Sequence, residues 1–114
     1  MWDVDVELVS EWLESLDAAS LRQVIAALQI LQEQGPALGR PLVDTVAASR
    51  HRNMKELRPG SSGRSELRIL FAFDPARSAI FLLGGDKSGD WDRWYKKNIP
   101  LADDLFDEHI QEGK

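Results

Sequence analysis

The first apolar pattern in the chain alternates with charge. Val4, Val6 and Leu8 are separated by single acidic residues from position 3 onward. A period of two places alternate side chains on opposite faces of an extended backbone, so the pattern is typical of a half-buried strand. We therefore predict that the chain begins with a strand over about residues 3–8.

The next pattern has a period of three to four and predicts two helices. Ser10 and Asp17 are residue types that cap helix N-termini. From 18 to 34 the apolar residues recur at three- and four-residue steps, which forms one helical stripe about four turns long. Gly35 followed by Pro36 is a strong stop signal. The two helices should form a hairpin packed on a sheet.

The middle of the chain predicts three consecutive strands. Strand composition returns at residues 54–58, 67–73 and 79–83. A connection rich in glycine and serine over 59–65 and the turn at 74–77 separate these segments. Short connections between strands favour an antiparallel meander.

The remaining segments complete the order of elements. Residues 36–53 have no clear period and are interpreted as loop, while Gly84-Gly85 is expected to end the third strand of the meander. Asp90 can cap a helix, and Pro100 suits the first turn of a last helix. The chain is therefore predicted to be α+β, in the order β-α-α-β-β-β-α, with a small antiparallel sheet, an N-terminal helical hairpin and a C-terminal helix.

Composition narrows the class of protein. A length of 114 residues with 43% hydrophobic residues fits a single domain over 1–114. The sequence has no cysteine, which excludes disulfides, thiolate zinc sites and cysteine nucleophiles and favours the cytoplasm. We expect no signal peptide, because the first residues contain no basic region followed by an apolar stretch. We expect no membrane association, because no apolar run approaches the ~20 residues of a bilayer span.

Charge is distributed unevenly along the chain. The formal net charge is −5, yet residues 40–87 carry +4 between segments of −6 (residues 1–39) and −3 (residues 88–114). This asymmetry indicates a local anion-binding face on a protein whose other surfaces are acidic. The alternative is random scatter of surface charge.

The candidate site follows from the alternation of side chains along the predicted strands. Glu56 and Arg58 share one face of their strand. If that strand pairs with the next one through the 59–65 connection, Arg68 lies on the same face, and Lys87 leaves the third strand close by. The alternative is a simple cross-strand ion pair between Glu56 and Arg68 on a solvated face.

Cations around one carboxylate match the needs of phosphodiester cleavage by a ribose 2′-hydroxyl. A base removes the proton of the hydroxyl, cations stabilise the phosphorane, and an acid protonates the departing 5′ oxygen. Neither His51 nor His109 has a metal-ligand partner at helical or turn spacing, so no metal or cofactor is expected. The aromatic residues at 91, 94 and 95 are expected to be core residues rather than a base-stacking platform.

The segment 54–58 (MKELR), the strand that begins Glu66-Leu67-Arg68 and the apolar strand ending near Lys87 resemble the RelE/ParE superfamily. The similar branch is that of the phage-Gp49-like, HigB-type toxins of type II toxin–antitoxin systems, and the likeness extends from about Val4 to Ile110. It implies a RelE-like fold with a concave, basic surface that faces mRNA. It also implies metal-independent cleavage of mRNA on translating ribosomes. The implied partner is a cognate antitoxin, often with a helix-turn-helix domain, and operator DNA would be bound only through the complex with that antitoxin.

The resemblance also implies roles for individual residues. Arg58 and Arg68 would contact or stabilise the scissile phosphate, and Lys87 would bind phosphate or act as an acid. Glu56 matches the family glutamate and is the candidate base or the group that orients an arginine. Six further cations are the candidate RNA-binding residues: Arg50, Arg52, Lys55, Arg64, Lys96 and Lys97.

The sequence departs from the family pattern in two respects. Many relatives are markedly basic, whereas this chain is acidic overall. The usual lysine- and threonine-rich segment after the last strand is replaced by residues 88–97, which contain Tyr95, the sole tyrosine. A tyrosine-dependent mechanism would therefore have to use Tyr95.

Two other functions remain open at this point. The same fold permits a ParE-like toxin that inhibits DNA gyrase without cutting RNA, because fold does not determine function. A non-catalytic binding module that complexes an antitoxin and represses an operator is the second alternative, since the acidic helices suit contact with a basic antitoxin segment.

Overall fold

The computed structural model describes residues 1–60 and 63–112, so Ser61 and Ser62 of the predicted hairpin connection lie outside the described residues. Within these ranges five strands form one sheet: β1 (Asp3–Asp5), β2 (Val43–Thr45), β3 (Met54–Leu57), β4 (Leu67–Phe73) and β5 (Ser78–Asp86). The same described residues form three α-helices: α1 (Ser10–Glu14), α2 (Ala18–Gln34) and α3 (Trp91–Glu112). Single turns of 3₁₀ helix occupy Glu7–Val9 and Gly35–Ala37.

The sheet is mixed, with strand order β1-β5-β4-β3-β2. β3, β4 and β5 are antiparallel neighbours, as the predicted meander requires, and β2 extends the antiparallel order beyond β3. β1 pairs with β5 in parallel. The α+β class is confirmed, and the expectation of a purely antiparallel sheet is wrong at β1. Alternation of apolar and acidic residues identifies a strand but carries no information about its direction.

Helices cover both faces of the sheet. On one face the buried residues of α2, Val24, Ala27 and Leu31, pack against side chains that include Ile69 and Phe71. On the other face α3 contributes a second set of buried residues: Ile99, Ala102 and Phe106. β4 therefore lies between two layers of helix and is buried along Leu67–Ala72. Arg68 is consequently a charged residue within a buried strand.

The ends of α2 agree with the capping signals. The Asp17 carboxylate accepts a hydrogen bond from the Ser20 backbone N–H at 3.1 Å, which satisfies a donor of the first turn. Gly35 ends the helix with φ of +57°, a conformation that favours glycine. The Trp2 ring lies where a β-carbon at this position would be, so the close approach also requires glycine.

Gly84 and Gly85 do not end the third strand of the meander, contrary to prediction. β5 continues through both glycines to Asp86. The Trp12 ring packs against Gly84 on one face and the Trp94 ring packs against Gly85 on the other. The glycines therefore act as sites of close packing rather than as a turn.

α3 is one continuous helix, whereas two helices were predicted on either side of Pro100. The Asp90 cap is confirmed, because its carboxylate accepts from the Arg93 backbone N–H at 3.2 Å. Pro100 lies inside the helix on its exposed side. Buried residues before and after it, Ile99 and Ala102, hold both halves on the sheet and offset the hydrogen bond that proline removes.

Two short segments also differ from prediction. β1 ends at Asp5, and Leu8 lies in the following 3₁₀ turn with 52% of its surface exposed. β2 lies within the segment interpreted as loop and pairs with β3 over three residues. A strand of three residues is too short to display a period, so the sequence pattern could not reveal it.

Candidate phosphate site

Glu56 is the centre of the candidate site. It lies on β3 directly opposite Leu70 of β4, so it faces α3 together with Leu70. Only 7% of the residue surface is exposed. The Tyr95 hydroxyl of α3 donates a hydrogen bond to Glu56 Oε2 at 2.7 Å, and Arg58 Nε lies 3.7 Å from Oε1. A buried carboxylate thus has a phenol on one oxygen and a guanidinium near the other.

Arg68 lies on the same face and is also buried, with 8% of its surface exposed. Its cross-strand partner is Gly85, and the Trp94 ring packs over that glycine, which accounts for the burial. Nη1 donates to the Leu67 carbonyl oxygen at 2.7 Å. Nε has no hydrogen-bond partner among the described residues. A buried N–H without a partner costs about 1–3 kcal/mol, so Arg68 retains unused capacity to bind an oxygen.

Arg58 is the accessible cation of the pair. About a third of its side chain is exposed, whereas Arg68 is covered. Its backbone N–H donates to the Leu42 carbonyl oxygen at 2.7 Å, which fixes the residue just beyond the end of β3. The two guanidinium groups therefore lie on the Glu56 side of the sheet, as the strand alternation predicted, but only Arg58 is open to solvent.

A shallow cavity of about 240 Å³ opens beside Glu56 and Tyr95. Its other walls come from residues of the β2–β3 segment and α3: Thr45, Val46, Ala47, Ala48 and Ile99. The wall residues other than Thr45 are apolar, so polar contacts in this cavity are concentrated at Glu56, Tyr95 and Thr45. The cavity gives a small group from outside a path to the carboxylate.

Burial and the contact with Glu56 change the acidity of Tyr95. Burial, followed by the hydrogen bond to the Glu56 carboxylate, raises the pKa of Tyr95 to about 12. The phenol is therefore protonated at neutral pH and acts there as a hydrogen-bond donor. It cannot serve as a base under these conditions.

We expect the raised pKa of Tyr95 to be measurable without interference, because the chain has one tyrosine. Absorbance titration of the phenolate should give a midpoint near 12 in the folded protein. Since the folded state holds this proton more tightly, its stabilising contribution is complete below about pH 10 and is lost as the pH rises towards 12. Tyr95→Phe should flatten that part of the profile of unfolding free energy against pH. A midpoint near 10 would contradict the Tyr95–Glu56 contact.

Lys87 directly follows the last residue of β5 and lies two residues beyond Gly85, the cross-strand partner of Arg68. Its backbone N–H donates to the Glu66 carbonyl oxygen at 3.0 Å, and its Nζ lies 3.1 Å from Glu66 Oε2. The same Nζ lies 5.9 Å from the centre of the Trp91 ring. Lys87 is thus a cation at the rim of the site, beyond Arg68, and its ion pair with Glu66 fixes its position.

The six candidate RNA-binding cations do not form one cluster. Arg50 is bound to α3, where it forms ion pairs with Asp103, Asp104 and Asp107, and these contacts raise its pKa above the usual arginine value. Lys55 lies on the opposite face of β3 from Glu56 and donates to Thr45 Oγ1 at 3.0 Å. The other four are exposed: Arg52, Arg64, Lys96 and Lys97. Of these, Lys96 forms an ion pair with Asp92, with Nζ 3.2 Å from Oδ2.

Comparison with known proteins decides the family. Residues 11–107 match the family described as phage derived protein Gp49-like (DUF891). The chain belongs to the Gp49-like family. A Mycobacterium tuberculosis protein named "Putative toxin HigB2" is 61% identical over 109 residues, which cover 96% of this chain and 54% of that protein. A second protein of that organism, "Putative toxin HigB3", is 54% identical over 95 residues, covering 83% of this chain and 81% of that protein.

These relatives confirm the resemblance to the HigB-type branch of the RelE superfamily. The chain spans about half the length of the HigB2 relative and most of the HigB3 relative. In this Gp49-like protein, no helix within residues 1–60 and 63–112 is both long enough and apolar enough to cross a bilayer.

Glu56, Arg58 and Arg68 lie on one side of the sheet, as the strand alternation predicts, but part of their surroundings was not predicted. The Tyr95–Glu56 hydrogen bond joins residues 39 positions apart on different elements, and only the rarity of tyrosine pointed to Tyr95. The acidic partners of Arg50 on α3 were also missed. Their spacing of three and four residues (Asp103 or Asp104, then Asp107) was a signal for a common helical face.

Proposed function

We propose that this Gp49-like chain is the toxin of a type II toxin–antitoxin system and that it cleaves mRNA on the ribosome without a metal. The observation that carries the proposal is the buried Glu56 carboxylate between Tyr95 and Arg58, with the unpaired Nε of Arg68 on the same face. A buried carboxylate and a buried N–H without a hydrogen-bond partner both lower the stability of a fold. Such groups are concentrated at functional sites, where a bound ligand can supply the missing partner.

The site has the groups that cleavage by a ribose 2′-hydroxyl needs. Glu56 takes the proton of the 2′-hydroxyl, whose oxygen attacks the phosphorus and displaces the 5′ oxygen of the next nucleotide. Arg58, the exposed guanidinium, stabilises charge on the phosphorane oxygens. The 5′ oxygen leaves with a proton from Tyr95, which is protonated at neutral pH, or from Lys87. The products are a 2′,3′-cyclic phosphate and a 5′-hydroxyl.

The burial of Arg68 gives it a supporting part in this scheme. It is buried, and its hydrogen bond with Tyr95 opposes the rise in the pKa of that phenol. Arg68 therefore acts on the phosphate chiefly through its positive charge and through Tyr95. Direct contact with a phosphate oxygen would use the unpaired Nε.

The names of the relatives support the toxin role, and the charge distribution supports a protein partner. Both M. tuberculosis relatives carry the word toxin in their names. A toxin of this type is neutralised by a cognate antitoxin, which we propose is a helix-turn-helix protein with a basic segment. The C-terminal half of α3 carries an acidic surface for such a segment, including Asp104, Glu108 and Glu112.

The test is inducible expression of the chain in a bacterium, followed by mapping of the 5′ ends of transcripts. We expect growth arrest and new 5′ ends within translated regions, both reversed by co-expression of the antitoxin. Growth arrest with intact transcripts and damaged DNA would favour a gyrase-inhibiting toxin instead. Neither arrest nor new ends would contradict the proposal.

A further inference from the structure

We propose that Trp91 is a stacking platform for a nucleobase of the RNA strand that binds at Glu56. The inference rests on the proposed function and extends it, since it gives the site a second subsite with a different ligand chemistry. It reverses the expectation that Trp91, like its aromatic neighbours, is a core residue.

Trp91 is more exposed to solvent than Trp94 and Tyr95, the aromatic residues that follow it on α3. Trp94 and Tyr95, one turn further along the helix, are half-buried and pack against the core between α3 and the sheet. Trp91 is the first residue of α3, and 59% of its surface is exposed. The helix carries this ring past the end of the core, so a large flat apolar surface lies in water.

The Trp91 ring contacts a residue of the candidate site. Trp91 meets Tyr95 edge to face, with ring centres 6.3 Å apart and planes at 73°. Tyr95 in turn donates to Glu56. The exposed indole is therefore one aromatic ring away from the carboxylate, a separation that suits stacking on a base near the phosphate that is cut.

The charges around Trp91 favour a nucleotide over an apolar protein side chain. Lys87 Nζ lies 5.9 Å from the centre of the indole ring, close enough for a cation–π contact. Of the cations further along α3, Lys97 is exposed, and Lys96 is exposed but lies 3.2 Å from Asp92. An aromatic face beside cations is the arrangement that binds single-stranded nucleic acid, because the ring stacks on a base while the cations contact the backbone.

The test measures binding separately from cleavage. In the full chain carrying Glu56→Gln, titration with oligoadenylate is compared with titration by the same ribose-phosphate strand lacking bases, followed by the indole N–H signals in NMR spectra. The chain has four tryptophans, and loss of one signal in Trp91→Phe identifies that of Trp91. We expect the Trp91 signal to shift with oligoadenylate and the abasic strand to bind about 5-fold or more weakly.

Adding Trp91→Ala should abolish the difference between the two strands, and Trp91→Phe should keep most of it. Leu101→Ala is the matched control, because Leu101 is an exposed apolar residue on the same helix, and it should change neither affinity. The proposal is overturned if Trp91→Ala leaves oligoadenylate affinity unchanged, including the case in which it weakens only the antitoxin complex. Absence of measurable oligoadenylate binding overturns it as well. Trp91-dependent binding by a chain that cuts no mRNA would refute the proposed function and leave the platform standing.

Discussion

Glu56→Gln is expected to reduce mRNA cleavage by about 10²- to 10⁴-fold and to abolish growth arrest. The amide matches the carboxylate in size, and its oxygen can still accept the hydrogen bond from Tyr95, so the packing between β3 and α3 should persist. An amide cannot take the proton of a 2′-hydroxyl. The measurement is the yield of new transcript 5′ ends after induction, at matched protein levels.

The matched control is Glu33→Gln, the same chemical change at an exposed position of α2. This variant should arrest growth as strongly as the unchanged chain. Equal cleavage by the Glu56→Gln and Glu33→Gln variants would remove Glu56 from the role of base. Glu56 would then serve only to hold Tyr95 and Arg58 in place.

Phe71→Ala is expected to lower the free energy of unfolding by about 3–5 kcal/mol. Phe71 is fully buried on the α2 face of β4, and its ring lies 5.6 Å from the rings of both Phe73 and Phe81. Because domains of this size are stable by only about 5–15 kcal/mol, the loss should leave a large unfolded fraction at moderate denaturant concentration. Urea unfolding followed by tryptophan fluorescence measures it.

Ile25→Ala is the control for this substitution, because Ile25 is 44% exposed on α2 although it belongs to the predicted apolar stripe. Its effect should be within about 0.5 kcal/mol. A loss below about 1 kcal/mol for Phe71→Ala would be too small for a buried phenylalanine and would contradict the two-layer core.

The faces of the central strands could be predicted because side chains alternate strictly along a strand. Glu56 and Arg58 differ by two positions, and the pairing of Glu56 with Leu70 then places Arg68 on their side. The same rule placed Lys55 on the opposite face, where the structure has it. This part of the site depends on local geometry alone, which a single sequence contains.

The contribution of α3 could not be predicted, because it depends on how the helix lies on the sheet. Trp94 fits over Gly85, and this contact sets Tyr95 above Glu56. In sequence, a glycine pair indicates the end of a strand as readily as a site of close packing, and Pro100 indicates the start of a new helix. Both features were therefore assigned their usual local meaning, and tertiary packing overrode it.

The contrast between the two arginines has a consequence for the mechanism. A sequence shows two equivalent cations, whereas the structure leaves about a third of the Arg58 side chain exposed and buries Arg68. A charge in a site with little water acts more strongly on its neighbours than one in solvent. Arg68 is thus suited to tune Tyr95 and Glu56, and Arg58 to meet the phosphate.

The chemistry of the cut ends tests most directly whether Glu56 and its cations drive attack by a ribose 2′-hydroxyl. Transcripts from induced cells are treated with enzymes that discriminate 2′,3′-cyclic phosphate from 3′-hydroxyl ends and 5′-hydroxyl from 5′-phosphate ends. We expect the ends created by the chain to carry 2′,3′-cyclic phosphate and 5′-hydroxyl groups, and to be missing with the Glu56→Gln variant. Ends with 3′-hydroxyl and 5′-phosphate groups would contradict the mechanism, because water rather than the ribose would then be the nucleophile.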